Sequence, residues 1–300
     1  MRRISLSLIG LAFVVAMAAA CGRMPGSPTP IPTATPGADS YMSRGSANYA
    51  QGDYEQAVAE YSRALELQPD WALAYTNRGL AYARQGDYEQ AVADFSRAIE
   101  LQPDDAEAYN NRGSAYCEQG QHGLAIADFD GAIELEPGYA CAYYNRGLAY
   151  AQVFDDERAI ADFTKAIELK PDYLEAYSSR GLAYFDFGEY EQAIADLGKV
   201  IELRPGEAQA YYERGIVYAV GQKDYERAIA DFERAVEIEP DYDLAYFSRG
   251  LAYKRLEDKE RAIADFERFL ELSSNEQLRG QAEGHLGELR GSEPGAFPSL

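Results

Sequence analysis

The chain has 300 residues, 50 of them acidic and 28 basic, for a formal net charge of −22. That balance is a poor match for a phosphate backbone and argues against nucleic-acid binding. Two isolated histidines, His122 and His285, assemble neither a metal cluster nor a His-based triad, so no metal and no cofactor are expected.

In chain order, residues 1–20 begin with Arg2 and Arg3, continue through an apolar run and end in small residues ahead of Cys21. A short basic region, an apolar core and a small-residue cleavage site read as a secretory signal peptide. Its removal would take the charge from −22 to −24. The cysteine placed straight after the small residues resembles the bacterial lipobox, with Ala18 where that motif usually has leucine. The resemblance implies acylation of Cys21 and an extracytoplasmic, membrane-anchored lipoprotein of a bacterial cell envelope. A plain secreted protein or an uncleaved anchor is the alternative. Residues 21–38, "CGRMPGSPTPIPTATPGA", alternate proline with Thr, Ser and Ile and cannot bury a core. As a polyproline-like spacer at ~3.1 Å per residue they would hold a domain up to about 50 Å from the lipid.

From residue 39 the chain repeats. "NRGLAY" occurs twice unchanged, and its glycine recurs as Gly45, Gly79, Gly113, Gly147, Gly181, Gly215 and Gly250, spaced by 34 residues five times and by 35 once. The extra residue is expected in a loop within "VGQKDY". Each unit carries two runs of helical period split by a polar turn such as "QGD", and the first six end in proline. A fixed period of this length is the mark of a solenoid. Each glycine is expected to face a recurring alanine (Ala57, Ala91, Ala125, Ala159, Ala193, Ala228, Ala262), with aromatics such as Tyr75, Tyr82 and Phe95 filling the seam. Asp70, Asp104 and Asp172, straight after the prolines, are expected to cap the next first helix.

The pattern resembles the tetratricopeptide repeat (TPR). The resemblance implies an all-α, right-handed α-solenoid of seven helix-turn-helix repeats at residues 39–71, 72–105, 106–139, 140–173, 174–207, 208–242 and 243–276. Beyond them, residues 277–291 read as a capping helix begun by Ser274, weakened by three glycines. Residues 292–300 read as a disordered tail. Cys117 and Cys141 fall ten helical positions apart in register, ~15 Å along the axis, too far to join each other, and are expected to be inert thiols.

An arginine stands before each repeat glycine, where the TPR pattern usually has leucine. An acid follows sixteen or seventeen residues later: Arg44 with Glu60, Arg78 with Asp94, Arg112 with Asp128, Arg146 with Asp162, Arg180 with Asp196, Arg214 with Asp231 and Arg249 with Asp265. Antiparallel helices would bring each pair together, so the arginines read as internal rungs and not as a ladder awaiting an anion.

The resemblance also implies a concave face of first helices that receives a protein or peptide. On it, Tyr144, Leu148, Leu182, Phe185, Tyr212, Ile216, Phe247 and Leu251 form an apolar set that either lines a groove or packs between repeats. Asn77, Asn111 and Asn145 form a three-rung asparagine ladder of the kind that holds peptide backbone. The lysines and arginine that clamp acidic chaperone tails are absent from the matching places, which hold Leu73, Glu107 and Cys141, or Thr76, Asn110 and Tyr144. No GxSxG, GxGxxG or phosphate-loop pattern occurs. The resemblance therefore implies a non-enzymatic scaffold or adaptor tethered to the envelope, touching membrane through its lipid alone. Glycan or peptidoglycan binding by the groove aromatics is the alternative.

Overall fold

The computed structural model describes residues 37–291, so the signal segment, Cys21, the body of the spacer and the tail lie outside the described residues. Fifteen α-helices and no strand are found among the described residues. The chain divides at Pro171/Asp172 into two compact units. The first holds α1 (Ala38–Ala50), α2 (Tyr54–Leu67), α3 (Ala72–Gln85), α4 (Tyr88–Leu101), α5 (Ala106–Glu118), α6 (His122–Leu135), α7 (Ala140–Gln152) and α8 (Asp156–Leu169). The second holds α9 (Leu174–Phe187), α10 (Tyr190–Leu203), α11 (Ala208–Ile216), α12 (Tyr225–Ile238), α13 (Asp243–Arg255), α14 (Lys259–Leu272) and α15 (Glu276–Gly291). Within each unit the two helices of a repeat pack together and the second packs on the next first helix, which is α-solenoid stacking.

The seam inside a repeat shows why its glycine is required. A Cβ on Gly79 would sit 2.8 Å from the Phe95 ring, and one on Gly147 would sit 2.7 Å from Phe163. The glycine thus lies first against an aromatic face, not against the recurring alanine as the sequence suggested. The alanines are fully buried all the same. At Gly181, where Leu197 replaces the ring, the contact is 3.1 Å, the same as Gly250 makes with the Phe266 ring. The tyrosines divide the work differently from expectation. Phe95 is buried, whereas Tyr75 and Tyr82 stay half-exposed beside Arg78.

Turn chemistry sets the boundaries. The residue before each repeat proline is extended, as at Gln68 and Gln102 (both φ −137°), because the proline ring disfavours helical backbone just ahead of it. The next helix starts one residue later than expected: Trp71, Asp105 and Tyr173 occupy the N-caps, in place of Asp70, Asp104 and Asp172. Among these three first helices only Asp105 caps with its side chain, accepting from the backbone of Glu107 and Ala108. Aspartate capping is commoner on the second helices, where Asp87, Asp155, Asp224 and Asp258 accept from the backbone N–H three residues on. Between the helices of each repeat one residue adopts left-handed backbone. It is Gly52, Gly86, Gly120 or Gly188 in four repeats, and Phe154, Lys223 or Glu257 in the other three.

Two departures from the repeat have clear local causes. The thirty-fifth residue of the sixth repeat does not enlarge a loop. It is absorbed in a π-helical segment, Val217–Gln222, that continues α11. At the other end α15 starts after Asn275, whose Oδ1 accepts from the Leu278 backbone at 3.1 Å, so Asn275 and not Ser274 is the cap. Leu278, Ala282 and Leu286 of α15 are buried with Phe269, the bulky residue that replaces a small one on α14.

Candidate functional site

The arginine rungs come first, because they decide which polar groups are left for a partner. Arg78 donates through Nε and Nη2 to both oxygens of Asp94 at 2.8 Å. The same two-point fork joins Arg112 to Asp128, Arg146 to Asp162, Arg180 to Asp196, Arg214 to Asp231 and Arg249 to Asp265 at 2.7–2.8 Å. Arg44, in the first repeat, pairs with Glu60 at 2.9 Å. A third donor reaches back to the preceding repeat: Nη1 of Arg78 to Ser62 at 3.0 Å, of Arg112 to Ser96 at 3.1 Å, and of Arg146 to Asp130 at 2.5 Å. Tyrosines three residues before and four after flank the guanidinium, as Tyr143 and Tyr150 do at Arg146 (5.6 and 6.0 Å). At Arg78 and Arg146 the donors and both faces of the guanidinium are engaged internally, and the hydrogen bond that Arg78 donates to Asp94 pushes its guanidinium further up.

The apolar set separates on burial. Tyr144, Leu182, Tyr212 and Phe247 are buried, and an enclosed side chain cannot be offered to a partner. Tyr144 packs on Phe163, Tyr212 on Phe232 and Tyr242, and Phe247 on Phe266 and Phe269. These four belong to packing between helices, a correction to their place on a groove. Asn145 is buried too and spends its amide on Asn110 Oδ1 at 2.9 Å, so it is not a free rung of a ladder. Asn77 and Asn111 are half-buried, as are Leu148, Phe185, Ile216 and Leu251. Of these, Ile216 and Leu251 meet at one place: with Ala219 and Val220 they wall a cavity of about 300 Å³ beside the π-helical segment.

Glu213 was not singled out in the sequence. It lies on α11, is 1% exposed, and accepts from Gln209 Nε2 at 2.8 Å through Oε1, while Oε2 has no hydrogen-bond partner. Burial pushes its carboxyl up to about 7. The only hint lay in its alignment with Asn77, Asn111 and Asn145, a position where an acid is out of place. His285 is less isolated than its spacing implied. It stacks on Phe266, and its Nδ1 lies 2.9 Å from Lys254 Nζ. Cys117 is a free thiol that burial pushes up to about 12. Among the described residues no cluster of His, Cys, Asp or Glu is arranged to hold a metal ion. No described helix is long and apolar enough to cross a membrane.

Helical hairpins stacked through shared seams within each unit, with the recurring arginines paired internally, define a helical-repeat scaffold. Family models agree: those described as TPR repeat match residues 45–86, 81–120 and 113–153, and those described as tetratricopeptide repeat match 140–173, 178–243 and 216–287. The chain belongs to the tetratricopeptide repeat family. Among solved structures, a tetratricopeptide repeat protein from Parabacteroides merdae covers 84% of this chain and 98% of its own at TM-score 0.62, and its 23% identity speaks to the fold alone. MamA is 30% identical over 55% of this chain and 96% of its own, at TM-score 0.51. YrrB, a TPR protein with an unusual peptide-binding site, is 26% identical over 62% of this chain and 95% of its own, at TM-score 0.52. No curated protein matches the chain.

Proposed function

We propose that the protein is a non-catalytic interaction scaffold which holds a partner peptide or helix on its first helices, carried outside the cytoplasm on a lipid at Cys21. The observation that carries the reading is the division of labour among side chains. Residues that recur in every repeat are consumed internally, by rungs and seams, so selectivity falls to positions that vary between repeats. The half-buried Leu148, Phe185, Ile216 and Leu251 are such positions on first helices. Within the second unit, Phe185, Ile216 and Leu251 on stacked first helices suit a peptide or amphipathic helix laid across them. The peptide-binding site described for YrrB supports the same class of ligand. The small-residue run before Cys21 and the proline-rich stretch after it support the tether.

The test is photo-crosslinking in cells of the natural host, with a benzophenone amino acid at Leu148 or Phe185 and, for comparison, at Leu67 or Leu135 on exposed parts of the second helices. Capture of one defined partner from the first-helix positions alone is expected. Capture only from Leu67 and Leu135 would overturn the first-helix face. For the tether, incorporation of a clickable fatty acid is expected and should vanish in Cys21→Ala. Finding no lipid on a Cys21 that alkylates only after reduction would place it in a disulfide and remove the anchor.

A further inference from the structure

The cavity beside the π-helical segment carries a reading of its own, which rests on the scaffold function and specifies the ligand. The extra residue of the sixth repeat widens the end of α11, leaving Val220 about half exposed, with Gly221 so close to the Tyr190 ring that an added Cβ would meet it at 2.6 Å. The glycine is therefore required for the widened turn to seat on α10. The space beside the turn, about 300 Å³, is walled by Ile216, Ala219, Val220 and Leu251. An apolar cavity of ~150 Å³ already accepts a benzene-sized guest, and ~300 Å³ is the lower end for small-molecule sites. The volume suits one large apolar side chain and is small for a cofactor.

The rim adds charge. Lys223 and Arg255 border the cavity, both exposed, and neither has a carboxylate or other hydrogen-bond partner among the described residues. In so acidic a chain that is unusual, since most arginines here are tied to a carboxylate. Two acids close to them in sequence are already taken, Asp224 by Arg227 and Asp258 by Arg261, each at 2.6 Å, and Glu257 makes no ion pair with Arg255 among the described residues. Lys223 also sits at φ 55°, in the turn position that glycine fills in four repeats. A lysine bears a conformational cost there that glycine would not.

We infer that this cavity is a specificity pocket for a partner segment that inserts one aliphatic or aromatic side chain between flanking carboxylates, which Lys223 and Arg255 receive. Apolar walls supply the anchor, and the two unpaired cations select acidic neighbours within a surface that otherwise repels them.

The test uses an array of nonapeptides whose central residue is varied through Leu, Phe, Ser and Lys while the flanks are all acidic, all neutral or all basic. The full chain in detergent is the probe, and the best peptide is then measured by fluorescence anisotropy at 0.05 and 0.3 M salt. Binding is expected for central Leu or Phe with acidic flanks, weakening several-fold with salt. It should fall at least tenfold in Lys223→Glu/Arg255→Glu and in Val220→Asp, both checked for unchanged far-UV circular dichroism and melting. Lys223→Gly/Arg255→Gln, which adds no repulsion, should lose several-fold and guards against a folding artefact. Equal binding of the central-Ser peptide, or indifference to the charge variants, would overturn the pocket. So would binding of decanoate without any peptide, which would assign the site to a fatty acid. An array with no binder, alongside continued photo-capture at Leu148, would sink the pocket and leave the scaffold standing. Loss of both would remove both.

Discussion

Removing Asp162 should destabilise the first unit more than removing Asp162 and Arg146 together. Arg146 makes two charge-assisted hydrogen bonds to Asp162, at 2.8 and 2.7 Å, and a third to Asp130 at 2.5 Å. Its side chain is 19% exposed and that of Asp162 only 8%. Stripping one partner from a buried pair costs roughly 3–5 kcal/mol, because a charge is left without its counterpart. Arg146 keeps a little water and keeps Asp130, which is half exposed, so Asp162→Ala should cost less, about 2–3 kcal/mol. Arg146→Leu/Asp162→Ala leaves no buried charge, and replacing a buried pair by apolar groups is often near neutral, so about 0–1 kcal/mol is expected. The assay is urea unfolding followed by far-UV circular dichroism and by the fluorescence of Trp71, the chain's only tryptophan, which lies in the same unit. Repeat arrays need not unfold in one step, so the comparison is of midpoints at unchanged slope. A double variant as unstable as Asp162→Ala, or more so, would refute the reasoning. A second comparison tests the link between repeats. Gly198 stands where Asp130 or Ser96 stands in other repeats and offers Arg214 no acceptor, its absent Cβ lying 3.7 Å from Nη1. Asp231→Ala strands Arg214 more completely, so its loss should exceed that of Asp162→Ala by about 1 kcal/mol.

Other expectations follow from single positions. Glu213 is fully buried with its carboxyl raised to about 7, so the native state holds a proton there that the unfolded chain releases near its ordinary value. Stability should therefore fall as pH rises from about 4.5 to 7 and level off above, by up to roughly 3 kcal/mol. Glu213→Gln should abolish that slope and raise the melting temperature at pH 8, and an unchanged slope would show that other groups set it. Glu257→Gly should stabilise by about 1 kcal/mol in urea, because a left-handed φ of 63° is unfavourable for a residue with a Cβ. Gly280, Gly284 and Gly287 of α15 have nothing within 4 Å of a would-be Cβ. Each change to Ala should then slow hydrogen exchange across α15 by up to ~1 kcal/mol of added protection, and added protection confined to other helices would contradict docking-limited helicity.

Much of the fold was readable because the same physical demands return every 34 residues. Small residues mark seams, prolines mark helix ends, and an acid at constant spacing reveals the partner of each arginine. The third contact of Arg78, Arg112 and Arg146 was also written in the chain, as Ser62, Ser96 and Asp130, each two residues after its repeat's acid, but a pairwise reading stops at the first partner. The candidate groove was read less well. Periodicity says which way a residue points on its helix, yet whether the next first helix covers it depends on the spacing between helices. Tyr144, Leu182, Tyr212 and Phe247 face the right way and are covered. The boundary of each first helix shifted by one residue for a similar reason, since two competing cap positions lie side by side in "PDW", "PDD" and "PDY".

The departures gather at the sixth repeat, and their concentration is informative. There the spacing lengthens to 35, α11 passes into a π-helical segment, a buried carboxyl takes an asparagine or serine position, a lysine takes a glycine's turn, and Arg214 lacks the acceptor that Arg78, Arg112 and Arg146 have. Each runs against local stability: π-helical geometry is rare, an unpaired buried carboxylate is unfavourable, and left-handed lysine is strained. A left-handed turn without glycine also occurs at Phe154 and Glu257, but among the described residues only here does it adjoin a π-helical segment. Both features border the cavity walled by Ile216 and Leu251, as selection for a ligand would leave them at the repeat that receives it. Returning that hairpin to the common pattern should therefore raise stability while erasing recognition, an opposition that neutral variation does not produce.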